Sequence, residues 1–239
     1  MFPVSDMHIG DILFDHVMFQ RFVTYIMEES NRFIVLNGDI INNNLRNSQG
    51  SPYEDVISPN DQKKEAKRML LPMRDRILCM NGGNHEARTK KEAGLDVTEE
   101  IAEFLGVPYN EDENCLRISL GRTPKNSKDK VHYTVYVTHG SGGGKKAGGA
   151  LNNLEDLSKN ILADVYIMGH THKRIGHKAL IRVPDLRTKK LKYMEQLYVC
   201  ASSWLTYGGY AVQKLYRPQV VGAHPIFLDG RIKEATTLI

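Results

Sequence analysis

The sequence predicts a layered α/β protein with a mixed sheet system, on three observations. Short apolar runs alternate with segments of three- and four-residue apolar spacing through the first ~170 residues. After that, strand-like segments dominate. Five of the apolar runs end on an acid, an amide or a histidine, which is where α/β folds build their sites. No repeat or linker interrupts the chain, and residues 1–239 are expected to form one domain.

The elements follow in order. Met1 to Ser5 gives only a short strand before Asp6, shortened further by Pro3. Over residues 13–27, Phe14, Val17, Met18, Phe22, Tyr25 and Ile26 recur at helical spacing, which predicts a helix burying one broad face. "RFIVLNGD" is a short buried strand ending at Gly38-Asp39. Residues 42–58 are polar and irregular, a loop long enough to suggest a functional role, and Ser58-Pro59 starts the next helix with an N-cap and a first-turn proline. "RILCMNGGNHE" is a strand running into a glycine-containing loop, followed by a helix over 96–105. "NCLRISLG" and "KVHYTVYVTHG" are strands joined by the polar turn "RTPKNSKD". The helix "LNNLEDLSKNIL" leads into "ADVYIMGHTH", and the remainder reads as strands and turns, with Asp229-Gly230 expected in a type I′ hairpin.

The 41% apolar and 25% charged residues are those of an ordinary water-soluble protein. No apolar run approaches the ~18 to 20 residues of a membrane span, and the opening residues lack the features of a secretory signal, so a cytoplasmic location is expected. Cys79, Cys115 and Cys200 are odd in number and widely spaced, which predicts core thiols and excludes a disulfide framework or a thiolate zinc site. The net charge of +4 is mild, but residues 178–192 gather Lys178, Arg182, Arg187, Lys189, Lys190 and Lys192 against Asp185 alone. Such a hairpin either attracts a polyanion or uses its lysines to blunt an exposed edge.

The chemistry gathers at the strand ends. "VSDMHIG" delivers Asp6 and His8, "VLNGD" Asp39, "CMNGGNHE" Asn84, His85 and Glu86, "YVTHG" His139, and "IMGHTH" His170 and His172. Singly, each has an ordinary explanation: a histidine after a strand is commonly a surface group, and Asp or Asn beside glycine suits a turn. Jointly these explanations fail, because five such motifs, each after an apolar run, do not assemble by chance.

In that order the motifs resemble the full signature of the calcineurin-like metallophosphoesterases, over residues 6 to 172. The resemblance implies a four-layer α/β/β/α sandwich of two mixed β-sheets flanked by helices. It also implies two divalent metal ions, one on Asp6, His8 and His172, the other on Asn84, His139 and His170, with Asp39 bridging both. Oxygen and imidazole donors without thiolate favour manganese, with iron, zinc or nickel as alternatives. A bridging carboxylate offsets the repulsion of two dications about 3.5 to 4 Å apart, and a bridging water would lose a proton near neutral pH to become the attacking hydroxide. The resemblance puts His85 beside the leaving group as general acid, with Glu86 and Asn42 in supporting positions.

Absences narrow the substrate. After Gly38-Asp39 the chain reads Ile-Ile-Asn42, without the Asp-Arg-Gly of the protein phosphatases or the tyrosine of the purple acid phosphatases. The pattern that remains is that of phosphodiesterases. The glycine-rich stretch 139–152 is expected either to bring backbone N–H groups with Lys145 and Lys146 to a phosphate or merely to connect two elements; it has no Walker A spacing. Trp204, Tyr207 and Tyr210 fit base stacking or core packing. The expectation is hydrolysis of a phosphodiester, in DNA, RNA or a nucleotide. The alternatives are a phosphomonoesterase acting on a small substrate and a non-catalytic scaffold on the same fold. His16, His132, His177 and His224 fit no motif and are expected to be structural or surface groups.

Overall fold

The computed structural model describes residues 1–46, 48, 50, 52–121, 130–142 and 144–239, and their side chains except that of Tyr210. The turn expected over 122–129 lies outside the described residues. In chain order the elements are β1 (Phe2–Val4), α1 (His16–Glu28), β2 (Ile34–Asn37), α2 (Pro59–Leu70), β3 (Ile77–Asn81), α3 (Glu86–Ala93), α4 (Val97–Leu105), β4 (Tyr109–Asn110), β5 (Glu113–Leu120), β6 (Val131–Thr138), α5 (Ala147–Asp156), β7 (Val165–Met168), β8 (Ile175–Asp185), β9 (Lys190–Cys200), α6 (Gly209–Gln213), β10 (Ile226–Leu228) and β11 (Ala235–Thr237).

Strand alternation sorts these elements into four layers. Strands β1 to β4 form a parallel sheet in that order, and a second sheet runs β5-β6-β7-β9-β8, with β6, β7 and β9 parallel. Val35 and Cys79 point from the first sheet into a shared core with Val135, Val137, Val165, Ile167 and Val199 of the second. Their neighbours Ile34, Leu36 and Met80 face the other way, onto the apolar sides of α1, α2 and α4. On the far side of the second sheet, Tyr136, Tyr166, Met168 and Tyr198 pack with Leu154 of α5. The small β10–β11 pair adds Ile226 and Ala235 to the inter-sheet core. Among the described residues no helix is long and apolar enough to cross a membrane.

Register brings the strand ends level. Val4 lies beside Leu36, Asn37 beside Asn81, and Thr138 beside Met168. The loops after β1, β2, β3, β6 and β7 therefore leave from one edge. Pro3 is tolerated because β1 is the edge strand of its sheet, where a missing donor costs least.

Several expectations shift. The buried stripe of α1 is Phe19, Phe22 and Ile26, while Val17, Met18 and Tyr25 are exposed. Phe14 precedes the helix, whose N-cap is Asp15, so a pattern anchored on Phe14 has the wrong phase. Helix α5 starts at Ala147 and takes Gly148 and Gly149 into its first turn, shortening the glycine-rich loop. Asp229-Gly230 is not a two-residue turn: Asp229 Oδ1 accepts from the amides of Arg231 and Ile232 in a six-residue connection. Cys79 and Cys200 are core thiols, but Cys115 is exposed. Trp204 is core as well, its ring 5.0 Å from both Phe19 and Phe22.

Candidate metal centre

Five of the side chains at the common edge project from left-handed backbone. Asp6, His8, Asp39, His170 and His172 have φ of 53°, 50°, 50°, 64° and 56°. Each such non-glycine residue costs about 1 kcal/mol or more, and concentration of that strain marks a functional site. Cross-links between strand ends hold it: the Asp6 amide donates to Gly38 O, the His8 amide to Asp39 O, and the Trp204 amide to Asp6 O. Two glycines make room. A Cβ at Gly38 would meet His139 Nδ1 at 2.5 Å, and one at Gly83 would meet the Asp39 amide nitrogen at 2.1 Å.

The side chains converge in two clusters. In the first, His172 Nε2 lies 3.2 Å from Asp6 Oδ1 and 3.2 Å from His8 Nε2. In the second, Asn84 Oδ1 faces His139 Nε2 at 3.1 Å and His170 Nδ1 at 2.7 Å, and His139 Nε2 is 3.3 Å from Asp39 Oδ2. Asp39 Oδ2 also lies 4.0 Å from His8 Nε2 and 3.9 Å from His85 Nε2. Three groups of potential ligand atoms fall within mutual reach: Asp6, His8 and His172; Asp39, His139 and His170; and His8, Asp39 and His85. Asp39 is common to two of them.

Tautomers are constrained from behind. His139 Nδ1 donates to the Asn37 carbonyl at 2.7 Å and His85 Nδ1 to the Asn42 carbonyl at 2.6 Å, so each presents Nε2 to the centre. Asp39 Oδ1 accepts the His85 amide and Asp6 Oδ2 the His170 amide, both at 2.9 Å. That leaves the second oxygen of each carboxylate aimed inward.

Charge follows this geometry. Burial works against ionising the two carboxylates, yet His172 lowers Asp6, and His139, His85 and His8 hold Asp39 well below the usual carboxylate range. Burial likewise opposes protonating His139, but the adjacent Asp39 drives it up to about 10, and Asp6 raises His172 in the same way. His8, His85 and His170 lack so close a carboxylate and are lowered, first by burial and then by neighbouring cations. Burial and the Asp39 carboxylate together push Glu86 up to about 7. The edge thus attracts positive charge at its centre.

The donors present fit divalent cations. Asp6 Oδ1 is buried without a hydrogen-bond partner, and the facing Nε2 atoms of His8 and His172 need a shared proton or a cation between their lone pairs. Oxygens and imidazoles without thiolate make a hard-to-borderline donor set.

Supporting residues include several that sequence reasoning did not single out. Glu86 accepts the amides of Asp39 and Ile41 at 3.1 and 2.9 Å. Asn42 serves through its carbonyl, while its side chain turns away to Asp55 at 2.8 Å. Asp55 also accepts from Asn44 and Gln62, and Gln62 accepts the Asn43 amide. Arg88 donates to the carbonyls of Asn42 and Asn43 and to Asn44 Oδ1. The run Asn42-Asn43-Asn44 was the available signal, since three consecutive amides in a long loop need partners.

Other residues stay apart. Lys145 and Lys146 are exposed, and it is the buried Lys173 that reaches the glycine-rich loop, donating to Gly144 O at 2.6 Å. The basic stretch 178–192 belongs to the β8–β9 hairpin, whose tip lies roughly 30 Å from the site edge at 3.3 Å per residue. Tyr207 is half exposed and hydrogen-bonded to Tyr216 O, not stacked at the centre. His16, His132 and His177 are away from the centre, and His224 is buried in the interior.

A comparison with curated proteins gave no match. Among solved structures, the chain is similar to a single mutant of Vps29 from Entamoeba histolytica, with 14% identity and a TM-score of 0.49 over 100% of this chain and 98% of that one. It is also similar to Vacuolar Protein Sorting 29 from Cryptosporidium parvum, at 12% identity and TM-score 0.43 over 99% and 95%, and to nuclease MPE from Pseudomonas putida, at 11% and 0.38 over 99% and 86%. Likenesses this distant carry no argument about activity. A family model described as calcineurin-like phosphoesterase matches residues 4–174, a span that runs from β1 through both terminal histidines of the centre. The chain belongs to the calcineurin-like phosphoesterase family.

Proposed function

We propose that this chain is a dinuclear metal-dependent phosphodiesterase acting on nucleotide or nucleic-acid substrates. The supporting observation is Asp39, one buried carboxylate within reach of both imidazole clusters. Asp6, His8 and His172 would hold one divalent cation, Asn84, His139 and His170 a second, and Asp39 both. Manganese suits these donors, with iron, zinc or nickel as alternatives. When bound, the pair supplies Lewis acidity and a water acidic enough to deprotonate near neutral pH.

The chain's own residues do the rest. Hydrolysis adds water across a P–O bond, and the departing oxygen needs a proton. Charged as the imidazolium by a proton taken from solvent, His85 gives it from Nε2, because its Nδ1 proton is committed to the Asn42 carbonyl. Glu86 fixes the backbone that carries Asp39. Beyond the two cations little answers a second negative charge, which suits a diester: Arg88 is already spread over three oxygens, and Lys145 and Lys146 are exposed.

Protein stripped with chelator and resupplied with Mn²⁺ tests this on bis(p-nitrophenyl) phosphate and p-nitrophenyl phosphate. Turnover of the diester should vanish on stripping, return with the metal and exceed that of the monoester. Full activity after stripping, or preference for the monoester, contradicts the proposal.

A further inference from the structure

A cavity of about 740 Å³ opens beside one half of the centre. Asn84 and His139 line it; Asp6, His8, Asp39, His85, His170 and His172 do not. His85 instead packs against His8, their ring centroids 4.4 Å apart. The cavity therefore meets the centre at Asn84 and His139, and the ring of the proton donor is not part of its wall. Its volume is that of a small-molecule site.

The walls carry an unbalanced charge. Lys90 is shared between two acids, donating to Asp96 Oδ2 at 3.1 Å and to Glu111. Tyr109 also donates to Asp96, at 2.9 Å. Asp112 adds a third carboxylate with no ion pair among the described residues, and Glu86 and Asp156 also line the space, so five carboxyl groups stand against the one ammonium of Lys90. Gly140 to Gly142 also line it, pinned where Asn153 Nδ2 donates to the Ser141 carbonyl at 3.2 Å. Lys145 and Lys146 do not line the space.

We infer that this cavity takes the organic group retained on phosphorus, and that this group is an uncharged hydrogen-bond donor of nucleoside type, not the next phosphate of a continuing strand. The inference rests on the proposed phosphodiesterase activity and narrows it. A phosphate beside Glu111 and Asp112 meets like charge, which costs binding steeply at close range. Hydroxyl and amino groups find carboxylate and carbonyl acceptors there instead. Water adds to phosphorus, the bond to the group on the His85 side breaks, that group leaves with a proton, and the cavity keeps a nucleoside monophosphate. The enzyme thus works on small diesters or on strand ends.

Three p-nitrophenyl diesters with one leaving group test this in the Mn²⁺-loaded protein: the methyl ester, the thymidine 5′-ester, and the thymidine 5′-ester carrying an added 3′-phosphate. The thymidine ester should exceed the methyl ester in kcat/KM by about tenfold, mainly through KM. The added phosphate should remove about tenfold. Glu111→Gln with Asp112→Asn should shrink that second ratio. Equal rates for the methyl and thymidine esters, or a gain from the added phosphate, overturn the inference, and so does a ratio unmoved by the double variant. If none of the three esters is hydrolysed, it is the phosphodiesterase proposal that fails.

Discussion

Two histidines are buried to almost the same degree and respond in opposite ways. His139 is 5% exposed and its pKa rises to about 10; His224 is 0% exposed and its pKa falls to about 4. Burial alone lowers both. At His139 the Asp39 carboxylate, 3.3 Å away, outweighs it. At His224 no carboxylate answers, and Arg174 adds to the depression. Burial opposes positive charge at both positions, and only the acids gathered at the strand ends reverse it at His139, which is the physical argument for cations at the centre.

The contrast breaks most sharply at Asp39. Asp39→Asn removes the charge common to both clusters while keeping the shape, so cation content by elemental analysis should collapse and diester turnover should fall by roughly 10³-fold or more. A variant that keeps both cations would end the argument.

The other member of the pair answers to pH. His224 must stay neutral in the fold, so its folded pKa lies below the unfolded value near 6.5. Its full contribution to stability is present above pH ~6.5 and is lost as pH falls towards 4, up to about 3 kcal/mol. Urea unfolding between pH 7 and 4 should lose stability over that window, and His224→Gln should flatten the curve. An equally steep curve in the variant would assign the loss elsewhere.

His85 separates charge from chemistry. His85→Ala should retain both cations yet slow diesters with poor leaving groups by about 10²-fold, with little effect on p-nitrophenyl esters. Equal loss on both would remove the proton-donor role. The smallest effect belongs to Asp55, which touches no reacting group but pins the side chain of Asn42, whose carbonyl orients His85. Asp55→Ala should lower kcat about tenfold with KM little changed.

What the sequence reveals differs between these two regions. The strand-end motifs were legible because the chemistry admits few residue types, and parallel strands announce themselves as short apolar runs. The layers followed from the alternation within those runs, as at Ile34, Val35 and Leu36. The left-handed backbone at Asp6, His8 and Asp39 was hidden, because nothing in Asp or His requires it; long-range amide bonds impose it. Gln62 and Asp55 escaped notice for a related reason: their partners Asn42, Asn43 and Asn44 lie 11 to 19 residues away in a loop without periodicity. Lys145 and Lys146 looked like phosphate ligands from their glycine neighbours; the structure places them, exposed, just before α5, which starts at Ala147 against the helix-breaking tendency of Gly148 and Gly149.

Metal stoichiometry tests the central claim most directly. Mn²⁺ titrated into chelator-stripped protein, followed calorimetrically, should bind at two sites per chain in the native protein, and tight binding should be lost in Asp39→Asn. One site, none, or two sites that survive Asp39→Asn would contradict a centre built around that carboxylate.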